Sequence, residues 1–221
     1  MSERAIDAAG VEHESAGEDA RIVSLVPSIT ELLFSLGLDR QIVGRTGFCV
    51  HPRERVRDVP KVGGTKSVQL DAIRALRPTH VIVNIDENEQ GAVDALRAFG
   101  SHIVVTHPLT PEDNFALYAL LGAIFDRHDE ARRLSTALAQ QLSAAASHSW
   151  PLQQVLYVIW RDPWMTVARD TYIAAMLRLV NWQTLPAIEG GQKGAARYPS
   201  FDFAAPWLAD VDRVLLSSEP Y

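Results

Sequence analysis

The sequence predicts an α/β protein of two similar lobes, each built on a mainly parallel sheet, with one long helical stretch between them. Three observations carry that reading. Short strand-like runs alternate with amphipathic helices through residues 21–109, the pattern of parallel strands with crossover helices. A helical pattern of about 37 residues follows, roughly 55 Å if straight, longer than any other in the chain. The opening pattern then returns: residues 67–84 (SVQLDAIRALRPTHVIVN) and 200–217 (SFDFAAPWLADVDRVLLS) both read as cap, helix, turn and strand over equal lengths.

Residues 21–26 (RIVSLV) are a short apolar run, read as a buried strand that Pro27 ends. Ser28 then reads as a helix cap, with Glu31 three residues on in a capping-box arrangement and Leu32, Leu33 and Leu36 on one face. Gly37 stops that helix. A brief strand is expected at 42–44, then a long loop at 45–66 containing Pro52, Pro60, Gly63 and Gly64. A helix at 70–76, a strand at 80–84 (HVIVN), a helix at 90–99 and a strand at 102–106 (HIVVT) complete the first lobe. Strands that are apolar throughout suit sheets covered on both faces.

Thr110, Pro111 and Asp113 read as the cap and acidic first turn of the long helix. Leu117, Leu120, Leu121 and Ile124, then Ala131, Leu134, Leu138 and Leu142, follow helical spacing, with a break expected near Arg127. A strand at 154–160, a helix at 172–180, a Gly/Pro-rich loop at 186–199, a helix from Ser200 to Leu208 and a strand at 213–217 follow. The expected division is a disordered tail (1–20), a first lobe (21–109), a linking helix (110–148) and a second lobe (149–221). Counted against the repeat, the second lobe is incomplete by about twenty residues.

The bulk properties exclude several classes. Of 221 residues, 47% are apolar and 22% charged, ordinary for a globular protein. The net charge of −6, with no Lys/Arg cluster, excludes a general nucleic-acid role. The single cysteine, Cys49, rules out an internal disulfide. Residues 1–20 are polar and acidic, with no apolar signal core and no lipid-attachment cysteine. The expected location is cytoplasmic for the sequence as it stands, and periplasmic if the true start lies upstream. No apolar run reaches the roughly 20 residues of a membrane span. HExxH, GxSxG and GxGxxG are all absent, so no catalytic residues are assigned. An α/β enzyme would place a nucleophile or phosphate loop after the first strand; Val26-Pro27-Ser28-Ile29 stands there instead.

Three segments carry a resemblance: SLVPSITELLFSLGL (24–38), VGRTGFCVHP (43–52) and VPKVGGTKSVQLDAIRALRPTHVIVN (59–84). IWRDPWMTV (159–167) and LLSSEPY (215–221) add to it. In this order they resemble the substrate-binding proteins of vitamin B12 and ferric-siderophore ABC importers, also called helical-backbone metal receptors. The resemblance implies two Rossmann-like lobes joined by a backbone helix, with the ligand in the cleft between them. It implies a corrinoid (cobalamin-like compound) or an iron chelate as that ligand, a monomer, no required cofactor, no chemistry and an ABC importer permease as partner. Intracellular binding or delivery without a transporter is the alternative. Members of the family normally carry an export signal or lipid anchor, and their second lobe continues past the SSEPY motif.

Residue types and resemblance together select candidate ligand contacts. Phe48, Cys49 and His51 share the first-lobe loop: the ring suits a corrin or chelate face, and the thiol and imidazole suit a metal. One Cys and one His do not make a closed site, so no metal ligands are assigned. Trp160, Arg161 and Trp164 follow the first strand of the second lobe, where the indoles would cover a flat macrocycle and Arg161 would hold a carboxylate or a chelate oxygen, or pair with Asp162. By resemblance, the turn with Thr65 and Lys66 faces the cleft, as does Tyr198. The family's corrinoid binders carry a Trp where Thr65 falls. Asp71 and Asp202 occupy the places where, in those proteins, an acid on each lobe meets permease arginines. Asp86, Glu87, Asn88 and Glu89 read as an acidic helix start; the alternative is that these carboxylates, at a strand's open end, bind a cationic or metal-bearing ligand.

Overall fold

A computed structural model describes residues 5–217. They form two compact units. The first runs to His107 and includes Phe115–Ser135. The second contains Pro108–Asn114 and the chain from Thr136 onward.

The first unit opens with an antiparallel hairpin, β1 (Ala5–Ile6) and β2 (Glu12–His13). This corrects the expected disordered tail. Asp7, which the composition counts as one more tail charge, is buried. Its carboxylate accepts the N–H groups of Ala9, Val11 and Val105, each at 2.9 Å, and lies 3.1 Å from His13 Nε2. A buried carboxylate satisfied in this way holds a segment that has little apolar surface of its own.

Four parallel strands follow: β3 (Ile22–Ser24), β4 (Ile42–Arg45), β5 (His80–Asn84) and β6 (His102–Thr106), in the order β4-β3-β5-β6. The period-2 alternation of strand side chains feeds two cores. Ile22, Ile82 and Val104 pack with Ile29, Leu33, Leu121, Ile124 and Phe125. Val23, Val81, Val83 and Val105 pack with Ile73, Val93 and Leu96. That is why these strands are apolar at nearly every position.

The connecting helices are α1 (Pro27–Ser35), α2 (Arg53–Val56), α3 (Leu70–Leu76) and α4 (Gln90–Arg97). In α1 the expected Ser28 cap gives way to Val26 as N-cap with Pro27 at the first helical position. The fixed φ and missing N–H of proline suit that place. α2 is a short turn of helix inside the expected long loop.

The long helical pattern forms two helices, α5 (Asn114–Ile124) and α6 (His128–Ala146). The break falls where expected: Asp126 takes φ 53° beside the buried Phe125. Gly122 admits the close approach of the two helices, since a Cβ there would stand 2.7 Å from that of Ala131. α5 and the start of α6 cover one face of the first sheet, so the stretch is partly core and not purely a spacer.

In the second unit β7 (Gln153–Val158), β8 (Trp182–Thr184) and β9 (Arg213–Leu216) are parallel, in the order β8-β7-β9. α7 (Tyr172–Arg178) is capped by Thr171, whose Oγ1 accepts the Ala174 N–H at 3.3 Å. The first three parallel strands of each unit are thus arranged alike, β4-β3-β5 and β8-β7-β9, with β5 and β9 the strands that close the repeated segment. The helix expected from Ser200 does not form; a 3-10 turn at Pro206–Asp210 replaces it. Pro206 lacks the N–H that a helix interior needs and pushes Ala205 to extended backbone. The SEPY part of the last motif lies outside the described residues.

Candidate functional site

Because each sheet is parallel, all its strands end on one edge, and the loops leaving that edge converge. The predicted contact residues of the first unit follow β4 or lie in the turn before α3; those of the second follow β7 or lie in the 186–200 loop.

In the first unit Phe48 is 41% exposed and lies over Gly64, its Cε2 3.2 Å from where a Cβ would stand. His51 is exposed on the same loop. Cys49 is not available for ligand contact: it is fully buried, with the Thr30 and Thr46 hydroxyls each 3.1 Å from its sulfur. A thiol in that position is internal packing. The Gly63–Ser67 turn is held from beneath by Asn88, a residue that sequence reasoning assigned only to a helix start. Asn88 Nδ2 donates to Leu25 O at 3.3 Å and Thr65 O at 2.9 Å, and its Oδ1 accepts the Asn84 N–H at 2.9 Å. One buried amide therefore ties the ends of β3 and β5 to the turn that presents Thr65 and Lys66. Lys66 is exposed and its Nζ donates to Asp86 O at 2.6 Å. The Asp86 carboxylate lies 3.5 Å from Nε2 of His107, a histidine at the end of β6 that the sequence did not single out.

In the second unit the chain leaves β7 into a tight reversal. The Ile159 N–H donates to Met165 O and the Met165 N–H to Trp160 O, with Asp162 at φ 72° in the turn. Phe201 and Thr166 extend the pairing: the Phe201 N–H donates to Trp164 O and the Thr166 N–H to Pro199 O. This ribbon presents Trp160, Arg161 and Trp164 around a cavity of about 420 Å³, completed by Val158, Leu216 and Ser217. Trp160 is 47% exposed, and the Arg161 guanidinium lies over the Trp164 ring, 5.9 Å from its centroid. Phe203 meets Trp164 edge to face at 5.4 Å and is itself 63% exposed. Sequence reasoning missed Phe203 because residues 200–208 read as a helix; Pro206 was the available signal against it. Tyr198 is half-buried and outside the cavity lining.

The loop bearing Tyr198 is built on Asp170, whose carboxylate accepts the N–H groups of Gly190 at 2.9 Å and Gly191 at 2.6 Å. Burial pushes this carboxyl up, but those two N–H groups and the nearby Arg197 charge hold it below the usual carboxylate range. Gly190 has to be glycine: a Cβ there would lie 2.5 Å from Arg197 N.

Asp71 is exposed in the first turn of α3. Asp202 is exposed in a turn rather than on a helix, and its Oδ1 accepts the Ala204 N–H at 2.7 Å. A second, charged cavity of about 600 Å³ lies at the opposite, amino edge of the first sheet, lined by Arg21, Asp39, Arg40 and Arg127 among others. None of the predicted site residues lines it. Among the described residues no group of three or more His, Cys, Asp or Glu is placed to hold a metal ion, and no helix is long and apolar enough to cross a membrane.

The periplasmic binding protein family model matches residues 22–218. The vitamin B12-binding protein of Pectobacterium atrosepticum is 26% identical over 168 residues, 72% of this chain and 59% of that protein. The chain spans about half the length of the first curated relatives it matches, 47% and 59%. The periplasmic vitamin B12-binding protein of Vibrio cholerae superposes with a TM-score of 0.77 at 18% identity, over 90% of this chain and 76% of that one. A periplasmic haem-binding protein of Pseudomonas aeruginosa superposes with a TM-score of 0.76 at 22% identity, over 89% and 71%. At those identities the superpositions establish the fold.

Proposed function

The chain belongs to the periplasmic binding protein family, and on that premise we propose that it is a carrier, without chemistry of its own, for a flat metal chelate of the corrinoid or haem kind. The observation that carries the reading is the cavity at the carboxyl edge of β7 and β9. Two tryptophans and an arginine around about 420 Å³ are the makings of a site that takes apolar rings and anchors them at a few polar points. Phe48, His51, Thr65 and Lys66 on the first unit, and Trp160, Arg161, Trp164 and Tyr198 on the second, are the contacts assigned to this ligand. The named relatives that bind vitamin B12 and haem support the ligand class.

A partner follows from the same reading. One curated relative is an ABC transporter substrate-binding lipoprotein of Bacillus subtilis. Asp71 and Asp202, both exposed acids, are the positions assigned to docking on arginines of an importer permease.

The test is a titration of the full chain with cyanocobalamin, dicyanocobinamide, ferric haem and a ferric siderophore, followed by tryptophan fluorescence. Saturable quenching by at least one of them is expected, since Trp160 and Trp164 border the cavity. No quenching by any of the four would remove the carrier reading.

A further inference from the structure

Arg161 carries a charge that no described residue neutralises. Among the described residues it makes no ion pair, not even with the adjacent Asp162, and its guanidinium rests over the Trp164 ring. A cation lying on a half-buried indole is weakly held compared with one that makes charge-assisted, bidentate hydrogen bonds to a carboxylate. Among the described residues the rest of the cavity lining is Val158, Trp160, Trp164, Leu216 and Ser217, so Arg161 is the one charged group in that part of the lining. Phe203, exposed and braced on Trp164 and Phe201, continues the aromatic wall beyond the cavity.

This arrangement discriminates between the two ligand classes left open above. The chain as a whole carries −6, which opposes the approach of an anion, so an anionic ligand needs a local cation. A neutral amide arm gives a guanidinium only an uncharged acceptor and, once bound, leaves a desolvated charge without compensation. A carboxylate arm supplies that compensation and draws the guanidinium off the ring.

We propose that the 160–164 pocket selects a flat, apolar macrocycle bearing carboxylate arms over the amide-rimmed corrinoids, and that Arg161 is the specificity-determining residue that receives one carboxylate. The proposal rests on the macrocycle-carrier reading.

The test uses the full chain and three probes: ferric haem, its dimethyl ester and dicyanocobinamide, each titrated by absorbance and by tryptophan quenching. The wild type is expected to bind haem about tenfold or more tightly than either the ester or cobinamide. Arg161→Met, which keeps the stem and removes the charge, is expected to lose that preference by weakening haem alone. Arg161→Lys is expected to restore part of it. Equal binding of haem and ester by the wild type, or equal weakening of both by Arg161→Met, overturns the proposal. Preferential binding of cobinamide overturns it too, yet leaves the carrier reading in place. No binding of any of the three overturns it, and the carrier reading falls as well if cyanocobalamin and the ferric siderophore also leave the tryptophan fluorescence unchanged.

Discussion

Trp164 stands edge to face with Phe203, ring centroids 5.4 Å apart, although the two residues lie on different arms of the ribbon that leaves β7. Trp164 lines the cavity while Phe203 is mostly exposed. The contact therefore braces one wall of the pocket from its solvent side. Phe203→Ala is expected to weaken ferric-haem binding about 2- to 10-fold, the range of an aromatic pair worth about 0.5–1.5 kcal/mol. The melting temperature should hardly move, because so much of the Phe203 ring is already in water. A fluorescence titration beside a thermal melt checks both; a large fall in melting temperature would show a core role instead.

Asn88 joins three pieces of backbone through one buried amide. Asn88→Leu leaves the Leu25 and Thr65 carbonyls and the Asn84 N–H without their partner, at a cost of about 1–3 kcal/mol for a buried group left unsatisfied. Urea unfolding should show that loss. Hydrogen exchange should show the 63–67 turn opening more readily than the rest of the first sheet.

His80 sits at the start of β5, stacked on His102 at 5.1 Å and edge-on to Phe125 at 5.3 Å. Burial, then the charges of His102 and His13, lower its pKa from 6.5 to about 4. The folded state thus binds the His80 proton less readily than the unfolded chain does. Its neutral form contributes stability that is complete above pH 6.5 and is lost as the pH falls towards 4. The loss is at most on the order of 3 kcal/mol. His80→Phe, which keeps the ring packing, should be less sensitive to acid than the wild type across that window. Urea titrations of both proteins at pH 7 and pH 4.5 measure the difference.

Cys49 has no exposed surface and lies between two threonine hydroxyls. The native chain should react with a thiol reagent only as fast as it unfolds, and completely in denaturant. Rapid labelling of the native protein would show that the 46–52 loop opens.

Much of the fold was legible because burial imposes a local period on the sequence. Val81 to Val83 and Ile103 to Val105 fill two cores on opposite faces of one sheet, so each of these residues had to be apolar, and the strands fall at His80–Asn84 and His102–Thr106 as read. α3, bounded by Gln69 and Arg77, was equally plain. The repeat pointed to two similar lobes, and β4-β3-β5 and β8-β7-β9 share one order. The order of the motifs likewise led to the family before any contact was known.

Tertiary structure decided what no local pattern encodes. Asp7 looks like tail polarity until the Val105 N–H, far along the chain, meets its carboxylate. Cys49 reads as a ligand until the two threonines close over it. Residues 200–208 have helical patterning, but pairing of Ser200 and Phe201 with the 164–166 segment and the proline at 206 leave a turn and a 3-10 segment in place of a helix, with Phe203 in the open. The sequence by itself determined most of the strands and helices and singled out Trp160, Arg161 and Trp164, because those depend on neighbours a few residues away. Which of the candidates border a cavity, and whether Arg161 pairs with Asp162 or rests on Trp164, depended on contacts between segments distant in the chain.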